Sequence, residues 1–199
     1  MTSDWVDPAP ERPVPFGKSL KADIIAHVPV PLRNGSAIGW IRITVSVLIR
    51  SSGIHVAILY RLSYLARMRL GVPGRILAAV LSWFMRHVYS CSIDPTSRIQ
   101  GGLMLPHPQG IVIEPGVAIG PRTYVYQNVS IVAIPGEMGV PQLGSDSRIY
   151  TGAVLTGRIR LGDDVSVGAN VVVAQDVPSR SFVRLPRCDF TKPQVNSPV

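Results

Sequence analysis

The chain has 199 residues, of which 46% are apolar and 16% charged, and its formal net charge is +8. This length and apolar content suit one domain, or a compact domain with a helical attachment, and exclude disorder over most of the chain. Two cysteines, Cys91 and Cys188, and no CxxC pair favour neither a disulfide framework nor a zinc site, and are typical of a reducing compartment.

The first half of the chain has the sequence pattern of a small helical unit. Four prolines in residues 1–17 predict a mobile tail. A short helix is expected over 18–27, and apolar residues then recur at helical spacing from Ile38 to Leu70, with a break at Gly53. We interpret 71–74 as a turn and 75–89 as a second amphipathic helix. Residues 18–92 are therefore predicted to form a helical domain.

Positive charge is concentrated in this half. Residues 1–92 hold 11 Lys or Arg and 4 Asp or Glu, and no acid lies between Asp23 and Asp94, where eight arginines fall. A solvated arginine face on amphipathic helices explains this charge, and peripheral contact with an anionic membrane is the open alternative. Nucleic-acid binding is not expected, because no recognised motif accompanies the charge.

Neither a signal peptide nor a membrane span is expected. The longest apolar run near a helix, Ile76 to Met85, is far shorter than the roughly 20 residues that cross a bilayer. The segment from Met1 to Pro15 lacks the apolar core of a signal peptide.

From Ile93 onward the sequence repeats every six residues. An aliphatic residue at one position is followed four residues later by a small or β-branched one, in about a dozen copies. Neither a helix nor an ordinary strand has this period. The aliphatic positions are Ile93, Ile99, Ile113, Ile119, Val125, Ile131, Leu143, Ile149, Leu155, Leu161, Val167 and Val173.

A period of six is explained if each hexad is one short flat strand plus a corner, and three hexads close one turn of a triangular coil. Glycine, asparagine and aspartate are expected at the corners, as at 162–164 and 168–170. The strands are parallel and bond to those of neighbouring turns. Such a prism needs caps. The helical half is predicted to cover the first turn, and the segment from Pro178 to Arg187 to fold back over the last.

The motifs of the chain resemble those of serine O-acetyltransferases, members of the hexapeptide-repeat acyltransferase family. The resemblance lies in Gly53-Ile54-His55, Leu59-Tyr60-Arg61-Leu62, Gly101 to His107 and Asp176-Val177-Pro178. It implies an α + β protein in which an N-terminal helical unit caps a left-handed parallel β-helix over residues 93–190, with a loose tail at 191–199. It also implies a homotrimer, or a dimer of trimers, with active sites between subunits.

The resemblance places the catalytic histidine at His107, the only histidine of the repeat domain. An alcohol is a poor nucleophile at neutral pH, so a positioned base must take its proton during attack on a thioester, and imidazole suits this task. A solvent-bound corner histidine is the simpler alternative. His27, His55 and His87 are interpreted as packing or surface residues.

The sequence differs from serine O-acetyltransferases at positions that bind the acceptor or orient the catalytic histidine. Pro106 stands where those enzymes carry an acid before the catalytic histidine, and Val140 stands where they carry a second histidine. The acid that orients the catalytic histidine is replaced by Ser92, so Asp94, Ser92 or a backbone carbonyl is expected to orient His107. Asp94 is taken as the second catalytic residue, and Ser92 and Asp23 as substrate-binding residues.

For the donor, acetyl-CoA, the resemblance implies a pantetheine arm lying along the outside of the coils. The corner residues expected to line it are Ala133, Thr151 and Ala169, and the cations expected to meet the nucleotide phosphates are Arg187 and Lys192. The interruption at 133–139 is predicted to form a loop over the groove. No metal site is expected.

The missing serine-holding groups argue against serine as the acceptor, and the Leu-Pro-His-Pro form at 105–108 is more similar to the sugar and polysaccharide O-acetyltransferases of the family. The predicted function is therefore acetyl-CoA-dependent O-acetylation of a saccharide or another neutral alcohol. It is assigned to the cytoplasm or the inner membrane surface. The alternatives are a serine O-acetyltransferase of cysteine biosynthesis with a rebuilt serine site and a non-catalytic β-helix scaffold. A carbonic anhydrase of the same coil type is excluded, because it would need three histidine ligands.

Overall fold

Four helices precede the solenoid in the computed structural model, which describes residues 15–28 and 37–185. They are α1 (Phe16–His27), α2 (Ala37–Arg50), α3 (Ser52–Arg69) and α4 (Gly71–Tyr89). The turn predicted at 71–74 is wrong, because these residues form the first turn of α4. Pro73 fits there, since the first N–H groups of a helix have no intrahelical partner.

The chain turns sharply between α2 and α3. Ser51 lies at this break, and its side-chain oxygen accepts the N–H of Ile54, which caps α3. The break therefore lies at Ser51, two residues before Gly53, the position predicted from the sequence. No single helix of the described ranges is long and apolar enough to cross a bilayer; α2 and α3 pass that test only as a pair, bent by 83°.

Within residues 37–185, thirteen short parallel strands form the three faces of a solenoid with about five turns. Sheet A has the order β1-β3-β6-β9-β12, sheet B the order β2-β4-β7-β10, and sheet C the order β5-β8-β11-β13. The strands are β1 (Ser92–Ile93), β2 (Arg98–Ile99), β3 (Val112–Ile113), β4 (Ala118–Ile119), β5 (Tyr124–Val125), β6 (Ser130–Val132), β7 (Gln142–Leu143), β8 (Arg148–Ile149), β9 (Val154–Thr156), β10 (Arg160–Leu161), β11 (Ser166–Val167), β12 (Val172–Val173) and β13 (Phe182–Val183).

The hexad pattern is confirmed residue by residue. All twelve predicted aliphatic positions point into the prism, and none is more than 5% exposed. Ile113, for example, pairs with Ile93 in the turn before and with Ile131 in the turn after, so like side chains stack in columns. This stacking buries apolar surface along the whole axis, which makes the hydrophobic effect the main stabilising term of the domain.

The corners have the predicted backbone conformation. Asp164 has φ 54° and Asn170 has φ 57°, both in the left-handed region that these side chains tolerate. The chain passes from sheet A to sheet B, from B to C and from C to A at three edges, here called the A-to-B, B-to-C and C-to-A corners. Asp164 lies at a B-to-C corner and Asn170 at a C-to-A corner.

The helical unit caps the first turn, as predicted. The hydroxyl of Tyr60 donates to the carbonyl oxygen of Ser97 (2.8 Å) and accepts the N–H of Ile99 (3.2 Å). The guanidinium of Arg61 donates to the carbonyl oxygens of Ile99 and Gln100. Since β2 is the edge strand of its sheet among the described residues, the two α3 side chains satisfy groups that would otherwise be unpaired.

The last turn differs from the prediction. Phe182 and Val183 pair with β11 and continue sheet C, so the chain does not fold back over the end of the prism at this point. The rest of the predicted cap, from residue 186, and the tail at 191–199 lie outside the described residues, as do residues 1–14 of the N-terminal tail.

Cys91 is a free, buried core residue. Burial raises the pKa of its thiol to about 12, so the thiolate is not formed near neutral pH. This agrees with a structural cysteine and not with a reactive one. Cys188 lies outside the described residues.

Candidate active site

His107 lies on a C-to-A corner that is longer than those stacked beside it. Met104 pairs with Tyr124, and Val112 pairs with Ser130. Val112 follows Met104 by eight positions, whereas Ser130 follows Tyr124 by only six. The two additional residues make the corner protrude, and the His107 side chain is exposed. A protruding imidazole at an open edge can reach a substrate that lies along the outside of the coil.

The segment leading to this corner is held by α1. The Asp23 carboxylate accepts the N–H groups of Gly102 (2.8 Å) and Leu103 (2.9 Å), and Nε2 of His27 accepts the N–H of Leu105 at 3.5 Å. These amides face away from the second turn, so the helix supplies the acceptors that a preceding turn would have supplied. The base of the His107 corner is thereby fixed to the helical unit.

Asp23 was expected to bind the acceptor, and the structure gives it another role. Its carboxylate is fully buried and also forms an ion pair with Arg61, with 2.9 Å between Oδ2 and Nε. With both oxygens engaged by protein donors inside the core, the carboxylate presents no free face to an ammonium or hydroxyl group. Asp23 therefore ties α1 and α3 to the first turn.

Asp94 and Ser92 lie at opposite ends of β1. Asp94 follows the strand at an A-to-B corner, and its Oδ1 accepts the N–H (2.7 Å) and hydroxyl (2.5 Å) of Thr96. Asp94 thus caps its own turn on a different edge from His107, which contradicts its assignment as an orienting acid within one protomer. Ser92 begins β1 next to the C-to-A corner, where the N–H of Gly110 donates to the carbonyl oxygen of Ser90 (2.8 Å).

No described residue forms a hydrogen bond with the His107 ring. Of the groups expected to orient it, Ser92 lies at the end of β1 that adjoins the C-to-A edge. Ser92 is half-buried, and its side chain faces outward while that of Ile93 points inward. Within residues 15–28 and 37–185 of one protomer, Ser92 is therefore the better placed of the two side chains. The prediction that it binds substrate is compatible with this position and stays a prediction.

Two of the residues predicted to line the acetyl-CoA groove share the edge of His107. Thr151 and Ala169 lie at successive C-to-A corners, joined by the Asn170 N–H donating to the carbonyl oxygen of Thr151 (2.9 Å). Ala169 is exposed and three turns from the His107 corner, about 14 Å at the usual strand spacing. This edge thus offers small side chains in line with His107.

The third small residue predicted to line the groove is not on this edge. Ala133 lies at an A-to-B corner, where its N–H donates to Oε2 of Glu114 (2.7 Å). Its assignment to the same row as Thr151 and Ala169 is therefore wrong within one protomer. Arg187 and Lys192 lie outside the described residues.

The loop at 133–139 also belongs to the A-to-B edge. It follows β6, its tip residue Met138 is 93% exposed, and the half-buried Val140 packs against the core as the chain returns to β7. The loop therefore does not cover the His107 edge of its own protomer. It projects from the prism at the height of the third turn.

A pair of stacked tyrosines lies between His107 and Thr151 and was missed by the sequence analysis. The rings of Tyr126 and Tyr150 are 5.2 Å apart between centroids and inclined by 25°. Each follows the inward residue of a sheet C strand, at the entrance to a C-to-A corner. The signal was available, because both occupy the same hexad position in neighbouring turns. They place two half-buried aromatic rings side by side along the edge that carries His107.

Comparison with known proteins finds serine acetyltransferases among the relatives of this chain. The chain is 34% identical over 137 residues to the serine acetyltransferase of Helicobacter pylori, covering 68% of this chain and 78% of that protein. It is 32% identical over 145 residues to the serine acetyltransferase of Staphylococcus aureus, covering 71% and 66%. No protein-family model matches the chain.

Solved structures agree with the sequence relatives. Serine acetyltransferase isoform 3 from Entamoeba histolytica, in complex with cysteine, superposes with a TM-score of 0.72 at 27% identity, covering 92% of this chain and 64% of that one. The Neisseria gonorrhoeae serine acetyltransferase in complex with serine gives 0.71 at 28% identity, covering 86% and 67%. The chain thus spans about two thirds of the length of these structures.

Proposed function

This chain belongs to the serine acetyltransferase family of O-acetyltransferases, and on that premise we propose that it transfers acetyl from acetyl-CoA to the hydroxyl of L-serine. The relatives favour this acceptor over the saccharide that the sequence analysis placed first. The observation that carries the proposal is the protruding corner that presents His107 on an open edge, in line with the small residues Thr151 and Ala169.

In the proposed reaction, a ring nitrogen of His107 takes the proton of the acceptor hydroxyl as its oxygen attacks the thioester carbonyl. The new C–O bond forms, and the carbonyl becomes a tetrahedral oxyanion. When the C–S bond breaks, the leaving thiolate receives the proton from the imidazolium, so the histidine returns neutral. A positioned base of this kind contributes roughly 10²- to 10⁴-fold to the rate.

The donor would lie along the C-to-A edge. There the chain offers the half-buried Thr151, the exposed Ala169 and the stacked rings of Tyr126 and Tyr150. A thin pantetheine arm needs such a close approach to backbone groups, and aromatic faces add apolar contact area. The cations for the nucleotide phosphates remain Arg187 and Lys192 as predictions from sequence.

A second acceptor class is supported by the charges of the same edge. The C-to-A corners, residues 105–111, 126–129, 150–153 and 168–171, contain no aspartate or glutamate. Pro106 precedes His107, and Asp23 is buried in an ion pair. Within the described residues of one protomer, these corners therefore offer no carboxylate for the ammonium group of an amino acid, which favours a neutral alcohol such as a saccharide as the second candidate.

A homotrimer would complete this site, and we propose it as the assembly, with a dimer of trimers as its extension. The loop at 133–139 and Ala133 lie on the A-to-B edge, so only a neighbouring copy can bring them to the His107 edge. The mass of the particle in solution, measured by light scattering, tests this. We expect the protein in the cytoplasm, where its donor is available.

The acceptor is tested by turnover with acetyl-CoA. CoA release is measured with L-serine, with nucleotide sugars and with oligosaccharides, each at saturating donor. Release with L-serine alone supports the leading proposal, and release with saccharides alone supports the second. Acetyl-CoA binding by calorimetry without turnover of any acceptor would contradict the serine proposal, and absence of binding would favour the scaffold alternative.

A further inference from the structure

The helix α4 has apolar residues on two opposite faces. One face packs against α3 through small residues, and a Cβ at Gly74 would lie only 2.0 Å from the carbonyl oxygen of Ala66. The opposite face is here called the outer face of α4. It consists of Val72, Ile76, Val80, Trp83, Phe84 and Val88, each between 42% and 66% exposed.

The spacing of these residues makes the outer face continuous. They recur at intervals of three, four or one over four helical turns, so their side chains form one stripe along the helix. Large apolar side chains that stay in water over such a length are unusual on a soluble protein and mark an interaction surface. Within the part of the chain that the structure describes, no element covers this stripe.

The surroundings of the outer face are positively charged. Arg75 and Arg86, eleven residues and thus three turns apart, lie along one margin of α4, and Arg67 and Arg69 are exposed where α3 ends. Residues 37–93 contain no aspartate or glutamate. The charged side chains that α2, α3 and α4 themselves carry therefore all have one sign.

The apolar stripe and the arginines around it together indicate what kind of partner binds the outer face of α4. A second copy docked through the same face would be related by two-fold symmetry and would bring the arginines of one copy close to the arginines of the other. An anionic bilayer offers both an apolar layer and negative phosphates, and it favours an aromatic residue such as Trp83 at the boundary between them. The charges thus favour a lipid surface over a second copy of this chain.

We propose that the outer face of α4 docks on an anionic membrane surface. The helix lies parallel to the bilayer, with its apolar stripe in the headgroup and acyl boundary and its arginines on lipid phosphates. The helix α3 does not enter the bilayer, because Tyr60 and Arg61 bind it to the first turn of the solenoid. The solenoid is thereby held beside the membrane. This inference does not depend on the identity of the acceptor.

The first experiment is co-sedimentation of the full chain with vesicles. Vesicles of phosphatidylcholine alone are compared with vesicles that also contain phosphatidylglycerol, at low and at high ionic strength. We expect binding to the anionic vesicles at low ionic strength and loss of binding at high ionic strength. Failure to bind anionic vesicles at low ionic strength overturns the proposal.

Variants then test which surface binds. The double variant Ile76→Ser/Val80→Ser removes apolar contacts at exposed positions and should weaken vesicle binding at least about tenfold. Val172→Ser is the matched control, because Val172 is exposed to the same degree as Ile76 but lies on the solenoid. Arg75→Gln/Arg86→Gln should weaken binding to anionic vesicles by roughly 25-fold, at about fivefold for each arginine.

Two results would contradict the assignment of the surface. One is equal vesicle binding by the wild type and by Ile76→Ser/Val80→Ser, with circular dichroism confirming that the variant is folded. The other is a smaller particle mass for this variant by light scattering, together with no vesicle binding by the wild type, which would show that a second copy covers the outer face. Turnover without vesicles tests the proposed function separately.

Discussion

Asp23 and Arg61 form an ion pair that is sealed inside the joint between the helices and the solenoid. The Nε atom of Arg61 lies 2.9 Å from Oδ2 of Asp23, and the side chains are 7% and 0% exposed. Both partners also bond to the backbone of the first turn, Asp23 to two N–H groups and Arg61 to two carbonyl oxygens. The pair therefore determines how the helical unit sits on the first turn.

Asp23→Ala is expected to destabilise the protein strongly. The change leaves the Arg61 guanidinium and two amides buried without their acceptor, and removing one partner of a buried pair costs about 3–5 kcal/mol. The measurement is the free energy of unfolding in urea. The control is Asp146→Asn, which removes the charge of the exposed pair with Arg122, keeps a side chain that tolerates the left-handed backbone at φ 58°, and should cost less than about 1 kcal/mol. Equal effects of the two variants would contradict the structural role of Asp23.

The titration of His27 is expected to make stability fall as the solution becomes acidic. Burial lowers the pKa of His27 below its ordinary value of 6.5, against the opposing effect of the Asp23 carbonyl and carboxylate. Between that lowered pKa and 6.5 the unfolded chain binds more protons than the folded chain, so unfolding becomes easier as the pH falls through this window. Above 6.5 the effect is absent.

The test compares the wild type with His27→Gln, which has no titrating group at this position. Urea midpoints at about pH 7.5 and about pH 5.5 should differ more for the wild type than for the variant. His55, His87 and His107 are present in both proteins and cancel in the comparison. The same pH dependence in both proteins would mean that His27 is not the responsible group.

Gly53→Ala is expected to disturb the support of the His107 corner. A Cβ at this position would lie 1.9 Å from the carbonyl oxygen of Leu105 and 2.9 Å from Nε2 of His27, so α3 would have to move away from the first turn. Overpacking of this kind costs about 1–3 kcal/mol. Because Leu105 is two residues from His107, kcat should also fall.

Gly17→Ala is the matched control for that variant. Gly17 also lies near the start of a helix, and nothing is within 4 Å of its Cβ position. Its stability should be unchanged, or higher by up to about 1 kcal/mol, since alanine favours helix over glycine. Unchanged stability and kcat in Gly53→Ala would show that the close approach of α3 to Leu105 is not required.

His107→Asn is expected to lower kcat by roughly 10²- to 10⁴-fold with little change in the affinity for acetyl-CoA. The amide keeps a polar group on the corner but cannot accept and return a proton at neutral pH. His87→Asn is the control, because His87 is exposed on α4 and contacts Trp83. Steady-state kinetics and calorimetry measure the two effects. Full activity of His107→Asn would refute the mechanism.

The interior of the solenoid could be predicted from the sequence because its physical rule is local. An inward aliphatic residue every six positions is visible without knowing any contact. The twelve aliphatic hexad positions between Ile93 and Val173 all face the core. The break before α3 was placed two residues late, at Gly53, because the cap at Ser51 was overlooked. Gly53 is instead required by the close approach of Leu105.

The site was predicted less completely because it depends on which edge a residue occupies. Asp94 is near Ser92 in sequence, yet a two-residue strand separates their corners. Asp23 looked like a free acid because its partner Arg61 lies 38 residues away. The height of a residue along the prism can be counted from hexads, but partners contributed by distant helices or by another copy cannot.

Successive C-to-A corners are stacked about 4.8 Å apart along the axis of the solenoid. Ile149 pairs with Val167, so removal of eighteen residues in register would delete one complete turn and leave the inward columns matched. His107 and Ala169 would then lie two turns apart instead of three. The length available to an acetyl-CoA molecule bound between these two corners can therefore change only in increments of one turn.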